Sequence, residues 1–194
     1  EPTQRHIEYP KYKAHREAMP EALRDALPYI DKLLEAFNIS KLFKSGFEAD
    51  DVVGTLAKQA EKEGFQVYMM TSDKDFAQLV SDNIFMYRPG NKWKPTEVWG
   101  IPEVLANFQI QKVEQVIDYL GMMGDSADNI PGIPGIGKKT AQKFIAEFGS
   151  IEGLFANTDK LQGRIQEKVI ASKEIGMLSK KLVTIITDVP VDFD

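Results

Sequence analysis

The segment Phe65-Gln66-Val67-Tyr68-Met69-Met70-Thr71 constrains the fold of this chain more than any other. It is a short apolar run that begins just after Gly64 and has helical patterns on both sides, so it reads as a buried strand. Before it, residues 49–62 place Val52, Val53, Leu56, Ala57 and Ala60 on an inward helical face. After it come a short helix around 75–80 and a second strand at 84–88. Helix, strand, helix and strand in that order predict an α/β layer on a parallel sheet. Pro89-Gly90-Asn91 then marks a turn, with Glu97-Val98-Trp99 as a return strand.

Residues 1–19 are polar, basic and aromatic, without an apolar stripe. From Pro20 the pattern changes: Leu23, Leu27, Ile30, Leu33, Leu34 and Phe37 recur at helical spacing. Beyond residue 100 the chain is predicted almost wholly helical, at 102–108, 112–123, 138–148, 150–156, 162–170 and 172–181, with a last strand at 183–186. The expected division is an α/β part, 1–128, and a helical part, 129–194. The chain opens on Glu1 within a polar segment and reads as a fragment.

The 194 residues include no cysteine, which excludes disulfides and thiolate metal sites. Any metal bound here is hard and oxygen-ligated. No apolar run approaches the ~20 residues needed to span a bilayer. The net charge of −5 conceals a division. Residues 129–182 carry +4 and residues 4–16 carry +3, leaving about −12 elsewhere, much of it in three acidic clusters.

Those clusters are Glu48-Ala49-Asp50-Asp51, Asp73-Lys74-Asp75 and Asp125-Ser126-Ala127-Asp128. Each suits a structural role when taken alone, because acids cap helices and shape turns. Three carboxylates in four residues repel, however, by about 4 kcal/mol for two charges about 4 Å apart at an effective dielectric near 20. Asp73 and Asp75 also fall just beyond a strand's carboxyl end, where open parallel sheets bind ligands. Together the seven carboxylates suffice for a site of Mg²⁺ ions, a pair of which can activate water and stabilise a leaving oxygen. A Ser/His/Asp or Cys/His system has no support, since the only histidines are His6 and His15.

Close behind the third cluster comes Gly132-Ile133-Pro134-Gly135-Ile136-Gly137-Lys138-Lys139-Thr140. A helix beginning near Lys138 would turn free N–H groups toward an anion, with Gly135 and Gly137 permitting close approach. Lys138, Lys139 and Lys143 add charge there, and a monovalent cation could sit on the loop carbonyls. Such an element grips a nucleic-acid backbone without reading bases.

These motifs, with Ser45-Gly46-Phe47 before the first cluster and Asn129-Ile130-Pro131-Gly132 after the third, resemble the 5′–3′ exonuclease domain of bacterial DNA polymerase I, in the flap endonuclease family. The resemblance covers essentially the whole chain. It implies an α/β, PIN-like core with a helix-three-turn-helix element, and Mg²⁺- or Mn²⁺-dependent hydrolysis at 5′ flaps, nicks and RNA primer–DNA junctions. Carried onto this sequence, it makes Glu48, Asp50, Asp51 and Asp73 inner metal-site acids, completed by Asp75, Asp125 and Asp128. It assigns Gly135, Gly137, Lys138, Lys139, Thr140 and Lys143 to the duplex backbone, with K⁺ as the loop cation. Tyr9, Lys13 and Arg16 match the start of a helical arch (about 4–19), where Lys13 and Arg16 neutralise the scissile phosphate. The implied partners are DNA and a polymerase domain of the same parent chain, in the bacterial cytoplasm at the nucleoid. Relative to the family, the first strands and two site acids are missing from this sequence, so weak or absent cleavage is expected. Competing readings are a non-cleaving branched-DNA-binding module and a PIN-type ribonuclease, the latter disfavoured because the backbone grip suits a duplex.

Overall fold

In a computed structural model, which describes residues 2–191, the strand at the centre of the sequence argument forms as β1 (Val67–Met70). It pairs in parallel with β2 (Ile84–Arg88), Val67 opposite Ile84 and Met70 opposite Tyr87. A 3-10 helix, Lys74–Leu79, makes the crossover and buries Phe76, Ala77 and Leu79. β3 (Glu97–Trp99) returns antiparallel on β2, with Met86 opposite Trp99, so the sheet is mixed rather than wholly parallel. α3 (Ala49–Lys62) packs on β1 and on the 3-10 helix.

Two helices precede α3. α1 (Gln4–Glu8) is a short helix inside the stretch that lacks an apolar stripe and that the resemblance places at the start of a helical arch. α2 (Glu21–Ala36) forms where the periodicity predicts it, yet buries none of its residues. Leu23, Leu27, Ile30, Leu33 and Phe37 all face solvent. Periodicity reports which face of a helix is apolar, whereas burial needs a neighbour for that face.

The helical part follows as α4 (Ile101–Phe108), α5 (Gln115–Met123), α6 (Lys138–Phe148), α7 (Ile151–Ala156), α8 (Gly163–Ala171) and α9 (Lys173–Val183). α5 touches α6, α7, α9 and the 3-10 helix, with Val116, Leu120 and Met122 buried between them. One continuous core runs from Ile84 and Met86 of the sheet through Val104, Ile145 and Leu154 to Leu182. The α/β and helical parts therefore share their hydrophobic interior.

Two expectations are corrected. Val53 points outward, 37 % exposed, because α3 packs through Val52, Gly54, Thr55 and Ala57 instead. Residues 184–186 are not a strand. Their backbone is satisfied by side chains: Ile185 N–H donates to Gln78 at 2.9 Å and Ile186 N–H to Asp51 at 2.9 Å. Extended, β-branched residues need backbone partners, and a sheet edge is only one source of them.

The loop between α5 and α6 is pinned in its first half. Asp125 and Ile130 exchange backbone hydrogen bonds of 2.9 and 2.7 Å. Gly124 has φ +69, and a β-carbon there would lie 2.4 Å from Ile130 O, so only glycine fits.

Candidate active site

The first acidic cluster is positioned by the start of α3. Glu48 is its N-cap residue, and Asp51 accepts the Glu48 N–H at 3.1 Å. The second lies past the end of β1, where Asp73 caps the 3-10 helix by accepting Asp75 N–H at 3.0 Å. The third sits in the pinned loop after α5. Glu48, Asp50, Asp75 and Asp128 line one narrow crevice together with Arg5 and Tyr12. Three segments far apart in sequence thus meet.

Cations interleave the acids. Lys13 Nζ lies 2.7 Å from Glu48 Oε1 and 3.7 Å from Asp128 Oδ2. Arg16 pairs with the other Asp128 oxygen. Lys74 bridges Asp125 and Asp75, the latter at 3.5 Å. Lys13 holds its place in the left-handed region, φ +54, with its N–H on Asp128 O at 2.9 Å. Among the described residues no three carboxylates stand close enough to share one ion, and the expected seven do not form a single cage. Lys13 and Lys74 occupy the space between them.

Two of the carboxyls are nevertheless short of compensating charge. Asp75 Oδ1 is buried and accepts no hydrogen bond. Burial first, then Asp73 and Asp125, push the Asp75 carboxyl up to about 6 against the opposing charge of Lys74. Burial, Asp73 and Glu48 likewise raise Asp50. A buried carboxylate oxygen that accepts no hydrogen bond and has a lysine 3.5 Å away, among mutually repelling acids, fits a hard divalent ion. The carboxylates available to it are Glu48, Asp50, Asp75 and Asp128, which line the crevice, with Asp73 and Asp125 on the flanking segments, and no three of them are close enough to share it as they stand.

Asp51 differs from the others. It is fully buried, and its two oxygens accept from Arg5 Nη1 and Nη2 at 2.7 and 2.8 Å, from Glu48 N–H and from Ile186 N–H. Burial pushes its carboxyl upward, but the Arg5 and backbone hydrogen bonds outweigh that and hold it below the ordinary range. Sequence reasoning also missed Arg5 itself, Tyr12 and Lys74. The Tyr12 hydroxyl donates to Glu48 Oε2 at 2.9 Å, and the residue is 3 % exposed. Burial, then Glu48 and Asp128, keep that phenol protonated. Tyr12 therefore buttresses the carboxylates instead of offering a ring to a base. Its spacing to Lys13 and Arg16 was the available signal. Tyr9 is half-buried and packs against the core.

The glycine-rich loop delivers Gly137 as the N-cap of α6, where a β-carbon would meet nothing within 4 Å. Gly135 adopts φ +87. Lys138, Lys139 and Lys143 are exposed and Thr140 is half-buried. Lys138 and Lys74 both line a cavity beside Tyr119 and Asn107, which places the α6 entry next to the acidic crevice.

Residues 1–120 match the family model described as 5′-3′ exonuclease, N-terminal resolvase-like domain, and residues 111–194 match 5′-3′ exonuclease, C-terminal SAM fold. The chain is 40% identical to DNA polymerase I of Bacillus subtilis over 191 residues, 98% of this chain and 22% of that one. It is 42% identical to the thermostable DNA polymerase I of Thermus thermophilus over 193 residues, 100% of this chain and 22% of that one. It thus spans about a fifth of the length of these relatives. Among solved structures it is similar to the T5 D15 protein co-crystallised with metal ions, with TM-score 0.75 and 25% identity over 94% of this chain and 70% of that one. The Rad2 catalytic core in complex with DNA substrate shares the fold, with TM-score 0.61 and 16% identity over 100% of this chain and 63% of that one. On family-model matches that together span residues 1–194, this chain belongs to the 5′–3′ exonuclease family.

Proposed function

We propose that this chain forms the 5′–3′ exonuclease and structure-specific 5′-flap endonuclease unit of a DNA polymerase I, hydrolysing phosphodiesters in primer removal and DNA repair. The observation that carries the reading is the crevice shared by Glu48, Asp50, Asp75 and Asp128, beside Lys13 and Arg16, in which the buried Asp75 Oδ1 accepts no hydrogen bond and is offset by Lys74 at 3.5 Å. When bound, two Mg²⁺ or Mn²⁺ ions would supply an activated water and charge compensation at the leaving oxygen. Lys13 and Arg16, released from Glu48 and Asp128, would turn their charge onto the scissile phosphate. Tyr12 and Arg5 hold Glu48 and Asp51 in place throughout. Lys138, Lys139 and Lys143, with the N–H groups that open α6, would hold the duplex backbone, and loop carbonyls would take K⁺.

The substrates in this reading are 5′ flaps, nicks and RNA primer–DNA junctions, with a polymerase domain as the covalent partner in the bacterial cytoplasm. Among the described residues no helix is long and apolar enough to cross a membrane. Residues 1–128 would carry the chemistry and 129–194 the duplex.

A second reading, a branched-DNA-binding module without cleavage, is favoured by one feature: the lysines that stand between the carboxylates. Incubating the chain with 5′-flap DNA separates the two. Metal-dependent cutting that chelator and Asp73→Ala both abolish supports the nuclease, and binding unaffected by either supports the module.

A further inference from the structure

The turn between β2 and β3 carries Trp93, which is 83 % exposed. Single exposed apolar residues are ordinary on protein surfaces. This one is displayed on a hydrogen-bonded frame. The Asn91 side-chain oxygen accepts the Trp93 and Lys94 N–H groups at 2.8 and 3.0 Å. Asn91 N–H donates to Lys94 O at 2.8 Å, and Gly90 N–H to Thr96 Oγ1 at 3.1 Å. Beneath the tip, the Arg88 guanidinium stacks 3.9 Å from the Trp99 ring centroid and pairs with Glu97 at 3.6 Å. Lys92 Nζ lies 5.2 Å from the Trp93 ring, and Lys94 follows directly. An indole between two lysines combines a stacking face with phosphate charge.

Position gives the tip its meaning. β1 and β2 are parallel, so both run out at the same sheet edge. β1 leads there to Asp73, and β2 leads to the Trp93 turn. Arg88, which ends β2, donates to the carbonyl of Ser72, the residue before Asp73, at 3.4 Å. The ring and the carboxylates therefore share one edge.

We propose that the Trp93 tip is a stacking platform for the unpaired bases of a nucleic-acid strand, with Lys92 and Lys94 taking its phosphates. The proposal rests on the nucleic-acid reading of the acidic site and adds a contact for single-stranded substrate at the same edge. Charge favours this occupant over an apolar protein surface, which would leave both lysines uncompensated.

The chain reports on this contact itself. Its two tryptophans are Trp93 and Trp99, and Trp99 is 8 % exposed, so only Trp93 senses an added ligand directly. The experiment titrates the chain with labelled oligothymidylate, and separately with blunt duplex DNA, in chelator, following tryptophan emission and label anisotropy together. Expected are quenched emission with the oligothymidylate and about ten-fold weaker single-strand binding in Trp93→Ala, of the order that one lost stack would give. Trp93→Phe should keep part of the affinity, and Lys92→Gln with Lys94→Gln should flatten its salt dependence. Binding with unchanged emission, or Trp93→Ala binding as tightly as the unsubstituted chain, overturns the platform, leaves the nuclease reading standing and turns the tip over to a protein partner. No binding of either DNA overturns both.

Discussion

The Arg5 guanidinium and the Asp51 carboxylate meet face to face, through two hydrogen bonds of 2.7 and 2.8 Å, with both side chains buried. Arg5 also donates to Leu182 O at 2.9 Å and Thr184 O at 2.7 Å. One guanidinium thus ties α1 to the start of α3 and to the end of α9. Asp51 spends its oxygens on this junction and on the Glu48 backbone, and so acts on the acidic site by positioning Glu48. Arg5→Ala should destabilise the fold by about 3–5 kcal/mol, because it leaves a buried carboxylate unpaired. Urea unfolding measures this. A loss no larger than that of an exposed pair such as Asp31–Lys41 would contradict the role.

Asp75 predicts a pH dependence of opposite sign to that of a salt-bridged acid. Its carboxyl titrates near 6 in the fold, above its ordinary value, so the native chain holds more protons than the unfolded chain between about pH 4 and pH 6. Without metal, stability should therefore fall as pH rises through that window and level off above it. The full shift corresponds to a loss of about 3 kcal/mol. Asp75→Asn should flatten the window and raise the melting temperature of the metal-free chain at pH 7. A metal-free melting temperature at pH 7 unchanged by Asp75→Asn would refute the assignment.

Lys13 competes with any cation for Glu48. Lys13→Ala should tighten Mn²⁺ binding several-fold while abolishing cleavage, since the same side chain is proposed to serve the phosphate. Calorimetric metal titration beside a flap assay checks both halves. Weakened Mn²⁺ binding would show that Lys13 organises the carboxylates instead of occupying their site.

Two glycines of the α5–α6 region should respond differently to alanine. Gly124→Ala forces a β-carbon to 2.4 Å from Ile130 O at a φ of +69, and should cost well over about 1 kcal/mol. Gly137→Ala meets open space, so it should cost under about 1 kcal/mol as an N-cap change while weakening duplex binding at the α6 entry. Thermal melts and duplex-DNA titrations of the two variants separate fold from contact. Equal destabilisation by both would remove the case for Gly137 as a binding position.

What the sequence by itself determined was local. The apolar run at β1, the acid-capped start of α3 and the glycine-marked entry to α6 were legible because backbone geometry, capping and turn chemistry act between residues a few positions apart. The order of the acidic clusters is read directly from the sequence, and the family they belong to was legible through resemblance. Tertiary structure alone decided how those side chains were used. Asp51 looked like its neighbours until Arg5, forty-six positions away, claimed both of its oxygens. Tyr12 carried no assignment from the sequence, and packing buries it with its hydroxyl on Glu48. The α2 stripe looked like core and faces solvent, and residues 184–186 looked like a strand and are held by Gln78 and Asp51. Periodicity specifies a face and a backbone shape. Which distant group fills that face, or satisfies a buried carboxylate or a free N–H, is settled only when the whole chain packs.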